Sequence, residues 1–382
     1  MQVATFHYIQ NNWINKGYAI EKTPHAQLLL IFGAKPLIAQ EDLYLTLKKE
    51  FPKANLVTCS TAGEILDTSS LEDSLVGIAI DFEKTELQFA ISNINNHKGS
   101  YEMGKALGES LPSQDLRYIL LISDGNIVNG DALLKGITEF VPKDLLISGG
   151  MAGDGAAFKD TLVGLNGDIQ NGNVVLIGFY GNHIKIGTGS KGGWDVFGPE
   201  RQITASKGNV LFEINHTNAL ELYKKYLGKY AEELPGSALQ FPLEIWFEED
   251  NYRVVRTILS INEKEQSMTF AGDIPVGAKA RFMKTNFDNL ILAAQEATLR
   301  AVEQMEGKEP ALALIISCVG RKIVLGNRID EEIETAADYL ASKTKIAGFF
   351  SYGEICPTND SYSKASYLHN QTYTITTFTE LV

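Results

Sequence analysis

The chain has 382 residues, 44% of them apolar, which is enough for two domains with separate cores, and a formal net charge of -13 at pH 7. An acidic chain without a Lys/Arg block repels phosphate backbones, which excludes nucleic acid as an expected partner. No apolar run approaches the ~18 residues of a spanning helix, Met1 to Tyr18 lacks a basic segment followed by an apolar one, and Cys59, Cys318 and Cys356 show no C-x-x-C spacing, so a cytoplasmic protein with free thiols and no membrane partner is expected.

After an N-terminal extension, residues 1–24, Leu28 to Phe32 is an apolar run without alternation, as expected of a strand covered on both faces. Glu41 to Phe51 carries Leu43, Leu47 and Phe51 at helical spacing, and Pro52 stops the helix. A second buried strand begins at Leu56-Val57 and runs into Cys59-Ser60-Thr61-Ala62-Gly63-Glu64-Ile65. Leu75 to Ile80 and Leu87 to Ile91 then predict a hairpin across the polar Asp81 to Glu86. The series recurs at an offset of 90 without a gap: Tyr118 to Ile122 matches Leu28 to Phe32, Leu133 matches Leu43, Pro142 matches Pro52, and Gly153-Asp154 matches Gly63-Glu64. Beyond a nine-residue insertion containing Asn166-Gly167-Asp168, Val174 to Tyr180 and His183 to Gly187 predict a second hairpin around Gly181-Asn182.

From Pro199 the texture changes. Asn218 to Leu227 has helical spacing, and Leu243 to Phe247, Arg253 to Ile261 and Ser267 to Phe270 read as antiparallel strands. A looser third copy closes the chain, with strand Ala311 to Ser317, helix Glu331 to Ser342, strand Ile346 to Phe350, and a last strand Thr372 to Phe378. The expected fold is therefore α/β, with mixed sheets built from repeated strand-helix-strand-hairpin units. Two domains, 25–215 and 216–382, divide it, with helix-sheet-sheet-helix as a possible layering.

The stretch from Pro52 to Ile65 resembles the N-terminal signature of the FIST sensory-domain family, and Gly348-Phe349-Phe350-Ser351-Tyr352-Gly353-Glu354-Ile355, with Cys318-Val319-Gly320-Arg321 and His369-Asn370-Gln371-Thr372, resembles its C-terminal signature. The resemblance covers roughly residues 25 to 380. It implies a ligand-binding input module of signal transduction, with small molecules such as amino acids as ligands, or haem in a nitric-oxide-sensing branch. No output module is expected in the remaining residues, so either a signal passes to a separate partner such as a kinase or effector, or the protein acts as a binder alone.

Site candidates follow from the repeated Gly-carboxylate elements. At the carboxyl end of a buried strand, backbone amides leave the ladder and a glycine lets a ligand come close. Glu64, Asp154 and Glu354 can each receive an ammonium there, with Ser60, Thr61, Gly63, Gly149, Gly150, Ser351, Tyr352 and Gly353 around them; equally, each carboxylate can hold a neighbouring turn. Arg321, beyond the Ala311 to Ser317 strand, can grip a ligand carboxylate or pair with Glu354. His369 and Asn370 open the last strand, and His369 or His183 would be the axial group if haem were the cofactor; otherwise none is expected. Asp124-Gly125-Asn126 reads as a turn and a pocket wall. Gly187-Thr188-Gly189-Ser190-Lys191-Gly192 satisfies G-x-G-x-x-G, but Gly193 to Pro199 cannot open a helix, so it reads as a turn or mobile loop and not a pyrophosphate cradle. A cysteine nucleophile at Cys59 or Cys318 is the enzymatic alternative, disfavoured because no histidine adjoins Cys59 in sequence.

Overall fold

A computed structural model describes residues 1–247, 253–358 and 365–381. Its strands form four sheets, and three of them repeat one plan. In the first sheet the central strands are Asn55–Ser60, Leu28–Gly33, Leu75–Asp81 and Gln2–Ile9, in that order. The second sheet places Leu146–Met151, Leu116–Ser123, Asn173–Tyr180 and Glu86–Asn93 in the same sequence of neighbours, and the third does so with Lys345–Ser351, Leu312–Cys318, Tyr373–Glu380 and Ile184–Lys191. Each time the first two are parallel and the rest antiparallel. The third copy, loosest in sequence, is thus complete in space.

The non-alternating strands are covered on both faces because each sheet lies between helices and the other two sheets. Leu28, Leu30 and Phe32 meet Tyr118, Leu120 and Ile122, together with Leu312, Leu314 and Ile316, in one central core. Their neighbours in sequence point outwards: Leu29 and Ile31 pack with Leu43 and Leu47 of the helix Leu43–Glu50, and Ala313 and Ile315 pack with Ala297 and Ile333. A section through any two of these sheets is therefore helix, sheet, sheet, helix. The helices begin where side chains take up their first free amides: Asn129 accepts from Ala132 at 2.9 Å ahead of Gly130–Thr138, and Asn218 accepts from Glu221 at 3.0 Å ahead of Ala219–Leu227.

Each unit contains a hairpin, but not across the predicted connections. The polar turns 81–86 and 181–182 carry the chain from one sheet to the next, because Leu75–Asp81 and Asn173–Tyr180 already have a partner on each edge. The true hairpins are Glu64–Leu66 with Ser69–Leu71, Val163–Leu165 with Asp168–Gln170, and Gly353–Pro357 with Ser366–His369. None stays in its own sheet. The first adds to Lys345–Ser351 of the third sheet, the second to Asn55–Ser60 of the first, and the third to Leu146–Met151 of the second. The exchange closes a ring.

The fourth sheet is an insertion in the third unit. Strands between Asp195 and Lys284, among them Leu243–Trp246, Arg253–Arg256, Ile258–Asn262 and Ser267–Phe270, enclose their own core of Ile203, Leu211, Tyr223, Leu243 and Phe270. The predicted helix and antiparallel strands of this region are present, and residue 215 falls inside it. The chain leaves the core after Ile184–Lys191 and returns as the helix Phe287–Glu303. The G-x-G stretch is accordingly a strand and not a turn or loop. Its glycines admit that returning helix: a Cβ on Gly187 would stand 2.0 Å from the Ala301 carbonyl oxygen, and one on Gly189 1.9 Å from that of Ala297.

Candidate functional site

The three Gly-carboxylate elements meet at one end of the central core. Ala62 donates its amide to the Phe350 carbonyl at 2.9 Å, Tyr352 to Met151 at 3.1 Å, and Gly153 to Ser60 at 2.9 Å, so each unit bonds to the next round the ring. Gly149 and Gly150 lie inside the ladder, between Leu116–Ser123 and Gly353–Pro357, where no ligand reaches their amides.

Glu64 and Glu354 are fully buried. Glu64 accepts from Thr61 Oγ1 and from Ser74 Oγ, each at 2.5 Å, and burial pushes its carboxyl up to about 7 against those hydrogen bonds. Glu354 does the equivalent work in the third unit, accepting from Ser351 Oγ at 2.7 Å and the Thr372 amide at 3.2 Å, and burial raises it to about 8. Both tie the end of the second strand to the start of the last. Asp154 is placed differently: it accepts from the Tyr352 hydroxyl and from the amides of Lys159 at 3.0 Å and Asp160 at 2.9 Å. Ser60 Oγ accepts from the Leu162 amide at 2.8 Å, and Gly353 pairs with Met151.

Arg321 does not pair with Glu354. Its Nε and Nη2 donate to Glu332 at 2.9 and 2.6 Å, Nη2 also reaches the Leu290 carbonyl at 2.9 Å, and Nη1 reaches the carbonyls of Gly192 and Gln371. Ser317 completes the Glu332 carboxylate at 2.7 Å. The guanidinium is occupied by the protein itself. His369 is buried, lies 3.0 Å through Nε2 from the Cys356 carbonyl, and is lowered to about 4 by burial, so its ring is neutral and Nε2 is the donor. Asn370 donates to the His369 carbonyl at 3.0 Å, and His183 sits 3.1 Å from the Leu381 carbonyl on the exposed side.

Two cavities open beside this ring, in related positions. One, about 620 Å³, lies over the loop and helix after Leu312–Cys318 and against Ala62 and Ser70 of the first unit. Lys322 dominates it. Its ammonium donates to the Ala62 carbonyl at 2.7 Å and pairs with Glu72, while Asp330 accepts from the amide and hydroxyl of Ser70, each at 2.8 Å. Gly63, at φ +117°, makes room for that ammonium: a Cβ there would stand 2.2 Å from Lys322 Nζ. The other, about 570 Å³, lies over Gly125 to Gly130, after Leu116–Ser123, and against Tyr352, which stands in the third unit where Ala62 stands in the first. Its far wall is the inserted sheet. At the third such position, Lys35, which opens the short helix Lys35–Ile38 after Leu28–Gly33, is tied to Asp160 at 2.5 Å.

Sequence reasoning named Tyr352, Gly125 and Asn126, which line the second cavity, but missed Lys322, Glu72 and Asp330. Lys322 adjoins Arg321 in the C-terminal signature, and that adjacency was the available signal. Among the described residues no group of three or more His, Cys, Asp or Glu is arranged to hold a metal ion, and no helix is long and apolar enough to cross a membrane.

The structure is thus an α/β protein of repeated mixed sheets with ligand-sized cavities at their strand ends. Comparison with family models matches the FIST N domain over residues 27–217 and the FIST C domain over residues 219–357, and the chain belongs to the FIST family, whose domains are small-ligand sensory domains of signal transduction. A search of curated proteins found no match.

Proposed function

We propose that this protein binds an amino acid or a related small metabolite in the Lys322 cavity and passes the signal to a separate kinase or effector in the cytoplasm. The observation that carries the reading is the pairing of opposite charges on one wall: an ammonium, Lys322, beside two carboxylates, Glu72 and Asp330. A zwitterion loses several kcal/mol if either charge is desolvated unpaired, so its site needs both signs within one ligand's length. Lys322 spends its hydrogens on Ala62 and Glu72 and can turn one towards a ligand carboxylate, freeing Glu72 for the ligand ammonium.

This binding role is favoured over catalysis because all three thiols are buried and burial pushes each of them up, Cys356 to about 12. Haem is not adopted. Neither His369 nor His183 lines either cavity, and each ring is engaged by a backbone carbonyl.

A thermal-shift screen of free amino acids tests the proposal. A small set should raise the melting temperature, by the equivalent of roughly 2.7 kcal/mol at 100 times the dissociation constant, and Lys322→Ala should abolish the rise. No stabilisation by any of them, or stabilisation indifferent to Lys322→Ala, would overturn it.

A further inference from the structure

The cavity between the core and the inserted sheet has the same place in its unit as the Lys322 cavity and the opposite chemistry. Among the described residues that line it only Tyr352 can ionise, and that phenol is held neutral, donating to Asp154 and accepting from the amides of Asp154 and Phe158 at 3.1 Å. A charged guest would lose water and meet no counter-charge. Its rim is apolar and faces solvent: Ile127 is 53% exposed, Phe158 42% and Leu259 45%, and all three line the same opening. Large apolar side chains gathered in this way round a concavity mark a surface that a guest covers.

One wall is flat. Phe158 stacks on Tyr352 with ring centroids 4.4 Å apart and planes 17° from parallel, while Asn126 brings a carboxamide to the same cavity. The volume, about 570 Å³, falls in the range of roughly 300–1,000 Å³ typical of small-molecule sites. The spacing of the walls is set in advance. Arg256 of the inserted sheet reaches across to Asp131 at 3.0 Å and to the Leu368 carbonyl at 2.9 Å, and Asp131 also receives the Asp273 amide at 2.9 Å.

We propose that this cleft is a second binding site, for an uncharged, mainly apolar small molecule carrying a planar ring, and that it is independent of the Lys322 cavity. A guest in it touches both the core and the inserted sheet, so its binding strengthens the docking of one on the other.

Fluorescence titration with the neutral probe N-phenyl-1-naphthylamine tests this on the full chain. Saturable binding of one probe per chain is expected. Leu259→Asp, at a rim position 45% exposed, should weaken it at least tenfold with circular dichroism and melting temperature unchanged, as should Ile127→Asp. Lys322→Ala should leave it as it was, which separates this site from the zwitterion site. Unsaturable probe binding, affinity undiminished from that of the unsubstituted protein in the two Asp variants, or equally tight binding of the anionic anilinonaphthalene sulfonate would overturn the proposal. So would a peptide that displaces the probe where neutral ring compounds do not.

Discussion

Arg321 and Glu332, both fully buried, meet at 2.6 Å where the inserted sheet is rooted in the core. The guanidinium also holds the carbonyls of Gly192, where the chain leaves the core, and Leu290, where it has returned. Removing one partner of a buried pair strands the other charge and typically costs about 3–5 kcal/mol. Arg321→Met should destabilise the protein by that amount in urea unfolding, and Arg321→Met with Glu332→Met should recover part of it. Equal losses in the single and double variants would show that the ion pair is not the source.

Stability should fall as pH rises from 6.5 to 8. Burial raises Glu64 to about 7 and Glu354 to about 8, against an ordinary value of 4.5, so over this interval the folded state holds protons that the unfolded state has released. The contribution is complete below about 4.5, fades as pH rises, and is gone above the folded values. Its slope is about 1.4 kcal/mol per pH unit for one group. His369, lowered to about 4, is neutral in both states near pH 8 and acts below 6.5, where its burial costs stability as pH falls. Melting temperatures across this range should show the decline, and Glu354→Gln should flatten it.

Gly149 should not tolerate a side chain. Its φ is +150°, and a Cβ would stand 1.8 Å from the Leu121 carbonyl of the adjoining strand, whereas at Gly155, φ +72°, nothing lies within 4 Å. Gly149→Ala is expected to cost at least about 4 kcal/mol. Gly155→Ala should cost only the left-handed backbone penalty, about 1–2 kcal/mol. Thermal unfolding of the two variants gives the comparison, and similar losses would refute it.

Cys59, Cys318 and Cys356 should resist alkylation in the native protein at pH 7.5 and react fully in denaturant, since burial raises all three thiols. Rapid labelling of Cys59 in the folded state would reopen the enzymatic reading.

Much of the architecture is legible along the chain. Leu28 to Phe32, Tyr118 to Ile122 and Ala311 to Ser317 are apolar at every position, and a strand with that pattern has to be covered on both faces. The match of Gly63-Glu64 to Gly153-Asp154 and Gly353-Glu354 exposes the repeat, and Glu64 and Glu354 each tie one strand end of their own unit to another. Arg321 was readable as a cation at a strand end but not as a partner of Glu332, because an ion pair between two helices leaves no local pattern.

Local chemistry alone therefore determined the buried strands of the three units, the helices with clear apolar spacing and the recurrence of the Gly-carboxylate elements, because burial on two faces and helical spacing are written into neighbouring side chains. Which sheet each hairpin joins was decided only by the tertiary structure. A hairpin such as Glu64–Leu66 with Ser69–Leu71 presents the same backbone donors and acceptors to any open edge, and only the closing of three sheets round one core sends it to Lys345–Ser351. That same closure sets Lys322 beside Ala62 and Phe158 against Tyr352, the contacts on which both proposed sites depend.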